Sequence, residues 1–247
     1  TIAVTGVNDT PTLTGVGGSN VINATSYTEN TPVVIDNNLT IADVDSEQLQ
    51  SATVKIKNYK SGDQLLFVDT PSITGSTASA GNVLTLTLSG NDSVEAYKSA
   101  LRSVRYNNSG DHPDTTTREI EWKVKDTSNP AGESVAGESR ITITAVNDPV
   151  VLAIDGSVTT FTEDAVGTAV NSVVFTYTLT DPESDVQTLV LSDTTNYALD
   201  TANKQVKLTA AGASLANRSA TLPNFTLQAK DSNTNTLTSN TLVISPS

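Results

Sequence analysis

R-I-T-I-T-A-V-N-D-P, residues 140–149, is the stretch on which the fold turns. Ile141 and Ile143 alternate with Thr142 and Thr144, the period of a strand with one buried face. Val146-Asn147-Asp148 follows, and then Pro149, which lacks the amide hydrogen that a continuing ladder needs. The chain opens in the same order, T-I-A-V-T-G-V-N-D-T-P, residues 1–11. Two copies of strand, V-N-D and proline mark module boundaries. The spacing predicts a module over 10–148 and a second over 149–247, with 1–9 as the last strand of a preceding module.

Two more repeats lie inside these boundaries. Tyr27-Thr28-Glu29-Asn30 recurs as Phe161-Thr162-Glu163-Asp164, and each copy precedes a short apolar strand and an acidic cluster. The clusters are Ala42-Asp43-Val44-Asp45 and Thr180-Asp181-Pro182-Glu183. Near each module's end, Trp122-Lys123-Val124-Lys125-Asp126 recurs as Leu227-Gln228-Ala229-Lys230-Asp231. Between the motifs, apolar residues alternate with Thr, Lys and Glu at Ala52-Val54-Ile56, Leu84-Leu86-Leu88, Ile120-Trp122-Val124, Phe175-Tyr177-Leu179 and Phe225-Leu227-Ala229. Many such strands joined by polar turns imply an all-β fold of two antiparallel sandwiches in series. One segment departs from period two. Asp92-Ser93-Val94-Glu95 resembles a capping box, and Val94, Tyr97, Leu101 and Val104 recur at helical spacing, which predicts a short helix over 93–103 inserted in the first sandwich. That helix should present Tyr97 and Leu101 to the core and Lys98 and Arg102 to solvent. Only Ala210–Asn217 stands at the corresponding place in the second module, where Gly212 weakens any helix.

Composition narrows the function. The net charge is −13 and the pI about 4.3, so nucleic acid and anionic lipid are excluded as main partners. Cysteine is absent, which removes disulfides, thiolate metal sites and thiol nucleophiles. Methionine is also absent, and no apolar run reaches membrane-spanning length. The chain is therefore read as an internal fragment of a longer exported protein, secreted or displayed at a cell surface, and as a monomer. The single histidine, His112, lies in the turn Gly110-Asp111-His112-Pro113-Asp114 and gives no triad, so the chain is read as no enzyme. Trp122 could be a sugar platform, but its alternation with Ile120 and Val124 places it in the core.

The carboxylates carry the chemistry. Each module offers a Glu near its start, a D-x-D or D-x-E step in the next loop and an Asp after a late strand, and each boundary adds an N-D pair. Hard oxygen ligands in such a group suit calcium, whereas a single Asp in a turn more often caps that turn. Carboxylates gathered without a cation repel by roughly 4 kcal/mol for two charges 4 Å apart at an effective dielectric near 20.

The order E-N, A-D-V-D, V-K-D and V-N-D-x-P resembles cadherin repeats. The stretch Ala100–Ser109, with Pro113 and the strand Arg118–Asp126, is similar to the cadherin-like repeats of large bacterial surface (RTX-type) adhesins in particular. The resemblance implies immunoglobulin-like sandwiches with calcium between successive modules. One set of ligands would be Asn8, Asp9, Asp43, Asp45 and Asp126. The other would be Glu29, Asn147, Asp148, Asp181, Glu183 and Asp231, with Glu163 turned toward a further module. Two features depart from the cadherin pattern: Gly6 and Ala145 stand where the linker carries an Asp, and neither module has a D-R-E step. The function implied is a calcium-rigidified stalk of an adhesin that contacts neighbouring repeats of its own chain and presents a distal tip to a host glycan or protein. The alternative is that one module, the second rather than the first, itself binds a glycan or protein.

Overall fold

The alternation at Ala52, Val54 and Ile56 becomes one face of a six-stranded sheet. The structure is a computed structural model that describes residues 6–15, 23–156, 159–162, 169–184, 187–218, 220–231 and 241–246. It divides into two units, residues 1–146 and 147–247.

In the first unit the strands are β1 (Thr12–Thr14), β2 (Asn23–Thr28), β3 (Val33–Val34), β4 (Thr40–Ala42), β5 (Gln48–Ile56), β6 (Asp63–Leu66), β7 (Thr74–Ala80), β8 (Val83–Ser93), β9 (Arg105–Asn108), β10 (Arg118–Asp126) and β11 (Gly137–Thr144). The large sheet runs β2-β11-β10-β5-β8-β7, a smaller one runs β3-β9-β6, and β1 pairs with β4. Ile120, Trp122 and Val124 lie opposite Ile56, Val54 and Ala52, and these in turn face Leu84, Leu86 and Leu88. All nine side chains are buried. Trp122 Nε1 donates to Ser139 Oγ at 2.9 Å, so the tryptophan is a core residue with its polar handle satisfied. On the outer face Lys55, Lys57 and Lys123 pair with Glu121, Glu138 and Glu133 at 3.3, 3.0 and 2.8 Å.

Among the described residues every ladder is antiparallel except β2 on β11, which is parallel with Tyr27 opposite Ile143 and Thr28 opposite Thr144. That direction has a consequence. The E-N motif leaves β2 at the same end of the sheet at which β11 runs into V-N-D.

The helix α1 spans Val94–Ser103 and buries Tyr97, Ala100 and Leu101. Its cap differs from the expected box. Ser93 is the N-cap and accepts from Ala96 N at 3.1 Å, so Glu95 falls one position early and pairs with Lys98 at 2.5 Å. Asp92 instead accepts from the Ser72 hydroxyl. Lys98 and Arg102 are half-buried rather than solvent-facing, and Arg102 Nε donates to the Leu39 carbonyl at 2.7 Å.

The second unit contains β12 (Val151–Asp155), β13 (Val173–Thr180), β14 (Gln187–Leu191), β15 (Tyr197–Asp200), β16 (Gln205–Leu208), β17 (Phe225–Asp231) and β18 (Leu242–Ile244). Its sheets run β12-β13-β16-β15 and β14-β17-β18 around Phe175, Tyr177, Tyr197, Phe225 and Leu227. A helix does form here, α2 over Ala210–Ala216, against expectation. A Cβ at Gly212 would lie 2.3 Å from the Asn196 carbonyl oxygen, so the glycine permits the helix to dock. Thr209 caps it, accepting from Gly212 N at 3.2 Å.

The first expected strand, Thr1–Thr5, lies outside the described residues, as do Glu163 and Asp164. Asn8 and Asp9 are not in a strand and attach to the first unit, and Asn147 and Asp148 attach to the second. The division between the two units falls ahead of Asn147 and Asp148, whose partners Asp231 and Glu183 lie in the second unit.

Candidate metal centres

The leading end of the first unit is built from three backbone segments. Residues 6–11 approach β1 in extended form, the loop after β4 carries Asp43 and Asp45, and β10 ends at Asp126. Asn8 Nδ2 donates to Asp126 Oδ2 at 2.9 Å, and Asp9 N donates to Asp45 Oδ2 at 3.1 Å. Asp43 Oδ1 accepts from the backbone N–H groups of Asp45 and Ser46 at 3.2 and 3.1 Å, which closes the A-D-V-D loop as an Asx turn. Asp126 is fully buried, and its Oδ1 accepts from Ser128 N and Gly132 N at 3.0 and 2.8 Å. Gly132 is required there. A Cβ would stand 2.8 Å from Asp126 Oδ2 and 3.0 Å from Asn8 Nδ2.

The carboxyls of buried Asp126 and half-buried Asp43 shift in opposite directions. Burial pushes Asp126 upward, but donors from Asn8, Gly132 and Ser128 outweigh it and hold the group below its ordinary value. Burial raises Asp43, neighbouring Asp45 adds to the rise, and the two backbone donors do not cancel them. Asp43 Oδ2 and Asn8 Oδ1 are buried oxygens without a hydrogen-bond partner among the described residues. A buried acceptor left this way costs about 1–3 kcal/mol unless a cation or donor reaches it.

The second unit repeats the frame. Asn147 Nδ2 donates to Asp231 Oδ2, and Asp148 N donates to Glu183 Oε2 at 3.2 Å. Asp231 is buried at the end of β17, as Asp126 is at the end of β10. Asp181 holds the position of Asp43, and its Oδ2 accepts from Gln187 Nε2 at 2.8 Å. Asn8, Asp9, Asp45 and Asp126 thus correspond in role to Asn147, Asp148, Glu183 and Asp231.

Glu29 sits at the other end of the first unit. It is 3% exposed, its N–H donates to the Thr144 carbonyl at 3.1 Å, and its Oε2 accepts from Val146 N at 2.8 Å. Asp111, in the turn beside His112, brings a carboxylate oxygen within 4.8 Å of that of Glu29. The loop is held there through Tyr27, whose hydroxyl accepts from Asn108 N and donates to Asn108 O, each at 3.1 Å. Beneath it lies a buried network. Tyr106 OH and Asn108 Nδ2 donate to Asp63 Oδ1 at 2.5 and 2.9 Å, and Arg118 Nε donates to Asp63 Oδ2 at 2.7 Å. The Tyr106, Asn108 and Arg118 of the adhesin-like stretch are therefore structural. The only signal for Asp111 was an Asp in the loop of a tyrosine-anchored strand, and it is too common to stand out.

The donor set fits a hard cation. Carboxylate and amide oxygens converge at the leading end of each unit, and at the first of them two buried oxygens lack donors. His112 is exposed, and no tyrosine, phenylalanine or tryptophan side chain is exposed among the described residues. No described helix is long and apolar enough to cross a membrane.

No family model and no curated protein matches the chain. Solved structures similar to it include mouse cadherin-23 EC22-24 (15% identity, TM-score 0.44, covering 96% of this chain and 65% of that one) and Drosophila N-cadherin EC1-4 (12%, 0.45, 97% and 50%). Protocadherin gamma C5 EC1-3 is also similar (11% identity, TM-score 0.43), covering 95% of this chain and 67% of that one. The chain thus spans between half and about two thirds of the cadherin extracellular structures to which it is similar.

Proposed function

We propose that this chain is a calcium-rigidified extender segment of a large bacterial cell-surface adhesin, a non-catalytic stalk that carries a distal binding tip. The observation that carries the reading is the frame of Asn8, Asp9, Asp43, Asp45 and Asp126, in which Asp43 Oδ2 and Asn8 Oδ1 are buried without donors and whose hydrogen bonds recur in the second unit. Asn8, Asp9, Asp43, Asp45 and Asp126 would hold calcium in the first unit, and Asn147, Asp148, Asp181, Glu183 and Asp231 in the second. Glu29 and Asp111 would add ligands at the trailing end of the first. Calcium takes about six to eight oxygen ligands and would supply the positive charge that these carboxylates lack. Stiffening between successive modules is the expected consequence, since carboxylates at a joint repel without the ion. The partners are then neighbouring repeats of the same chain and, through the tip, a host glycan or protein.

The rival reading, a glycan- or protein-binding module that is more naturally the second, can draw on a cleft there. Leu189, Val190, Leu191, Tyr197 and Leu199 line about 410 Å³ in the second unit. Its walls are largely aliphatic, and among the described residues no exposed aromatic offers a stacking face for a sugar, so the stalk is favoured over a glycan-binding module. Calorimetric titration with calcium, and small-angle scattering in calcium and in EDTA, test it. Binding heat and a change of scattering profile are expected, both reduced by Asp148→Ala. No heat and superposable profiles would overturn the reading.

A further inference from the structure

The geometry points to the parallel ladder between β2 and β11 as a load-bearing clamp, which takes tension along the chain in shear. The inference rests on the stalk reading for the source of that tension. The clamp itself is main-chain bonding locked by a buried tyrosine, so it should hold with calcium or without it.

The direction of the two strands sets the load path. Asn23 lies opposite Ser139 at one end of the ladder, and Thr28 lies opposite Thr144 at the other. The chain enters β2 at Asn23 and leaves β11 at Thr144. Tension on these two flanks draws β2 and β11 in opposite senses along their axes. Every register pair from Asn23–Ser139 to Thr28–Thr144 then resists at once. Pulling the same strands apart from one end would instead open the pairs one after another.

The bonds that resist can be assigned. Glu29 N–H donates to the Thr144 carbonyl at 3.1 Å. Main-chain groups along a strand turn to alternate sides, so Thr25 and Tyr27 also bond to β11, while Ala24 and Ser26 turn away from it. β2 is an edge of the six-stranded sheet and pairs only with β11 among the described residues. β11 is backed on its other side by β10, from Gly137 to Ile141. The seam that carries the load is therefore the one between β2 and β11.

Side chains lock the same strand. Tyr27 is buried, and its ring meets that of Tyr106 edge to face at 4.9 Å between centroids. Its hydroxyl holds both main-chain groups of Asn108 at 3.1 Å. Thr25 Oγ1 donates to the Ile35 carbonyl at 2.8 Å. A slip of one residue along β11 would carry Tyr27 to the opposite face of the pleat and out of this slot. β2 thus cannot creep along its partner in small steps; the ladder and the tyrosine must give way together.

Single-molecule force spectroscopy of the full chain in EDTA tests the clamp, because forced unfolding reads the unfolding rate. The chain has no cysteine, so handles can be attached at introduced ones. Ala24→Cys with Val146→Cys loads the ladder in shear, and Thr31→Cys with Val146→Cys peels it from one end. All three positions are exposed. The shear pair should unfold at a several-fold higher force and then release about 400 Å of chain, for roughly 120 residues at full extension. Thr25→Pro removes a ladder N–H and should lower the shear force while leaving the peeling force nearly unchanged. Ser26→Pro, whose N–H turns away from β11, should lower it less. Equal forces in the two geometries overturn the inference, whatever the proline variants do. A shear force that the two proline variants lower alike, or that neither lowers, overturns it as well. Calcium binding heat together with equal forces would refute the clamp and leave the stalk reading standing.

Discussion

Asn8 and Asp126, 118 residues apart, are joined by a hydrogen bond of 2.9 Å from the Asn8 amide to Asp126 Oδ2. It ties the segment that leads into the first unit to the end of β10. Asn147 and Asp231 make the same bond in the second unit. The bond uses the amide nitrogen, which leaves the amide oxygen of Asn8 for another partner. An asparagine, with an NH₂ donor group and an acceptor oxygen on a single head, can do both; an aspartate at this position could not donate.

Asp126→Ala should destabilise the first unit even without calcium. It strands three donors, from Asn8, Ser128 and Gly132, that now converge on one buried carboxylate. Chemical denaturation in EDTA should read a loss of about 1–3 kcal/mol, and a loss within the error of the wild type would contradict the role given to this group.

Asp43→Asn should change sign with calcium. The Asx-turn acceptor Oδ1 survives the substitution, so only the charge is lost. In EDTA the variant should be as stable as the wild type or more so. In millimolar calcium the wild type should gain about 1–3 kcal/mol per saturated site and the variant less. Melting curves in the two buffers decide it.

The same pair reports on pH. The folded Asp43 carboxyl titrates above its ordinary value of 3.8, so the folded state binds its proton before the unfolded state does. In EDTA, stability relative to Asp43→Asn should therefore rise as pH falls through the folded pKa toward 3.8, and be lost as pH climbs above it. Calcium binds the deprotonated form and should invert that slope. A difference that does not vary with pH in EDTA would show that Asp43 is not desolvated.

Gly212→Ala separates propensity from packing. In an exposed helix the change would stabilise by up to about 1 kcal/mol. Here the added Cβ would meet the Asn196 carbonyl oxygen at 2.3 Å, and the backbone on both sides must shift. A loss of about 1–3 kcal/mol is expected in thermal or urea unfolding; a gain would mean that α2 does not dock on Asn196.

Asp63→Ala should cost about 3–5 kcal/mol, because it leaves the fully buried Arg118 without its carboxylate. Replacing both members with apolar residues should recover part of that loss, measured as a double-mutant cycle by urea unfolding. A loss in the double variant equal to the sum of the two single losses would mean that the pair is not coupled.

Period-two alternation was sufficient to place the buried faces of β5, β8, β10, β13 and β17, because each strand presents one face to one core and side chains must alternate. The same logic located α1, where period 3.6 brings Tyr97 and Leu101 to one side. Ordered repetition, with the resemblance to cadherin repeats, singled out eleven carboxylate and amide positions as candidates. Other features depended on residues far apart in the chain. The first proved to be the parallel direction of β2 on β11, which puts Glu29 beside Val146 and which no local pattern encodes. Asp111 reaches Glu29 only because Tyr27 clasps Asn108, 81 residues away. Gly212 reads as a helix breaker until Asn196 is seen against it. Local periodicity reports which face of a segment is apolar; it carries no term for what a distant segment sets against that face, and donors, acceptors and close approaches are all decided there.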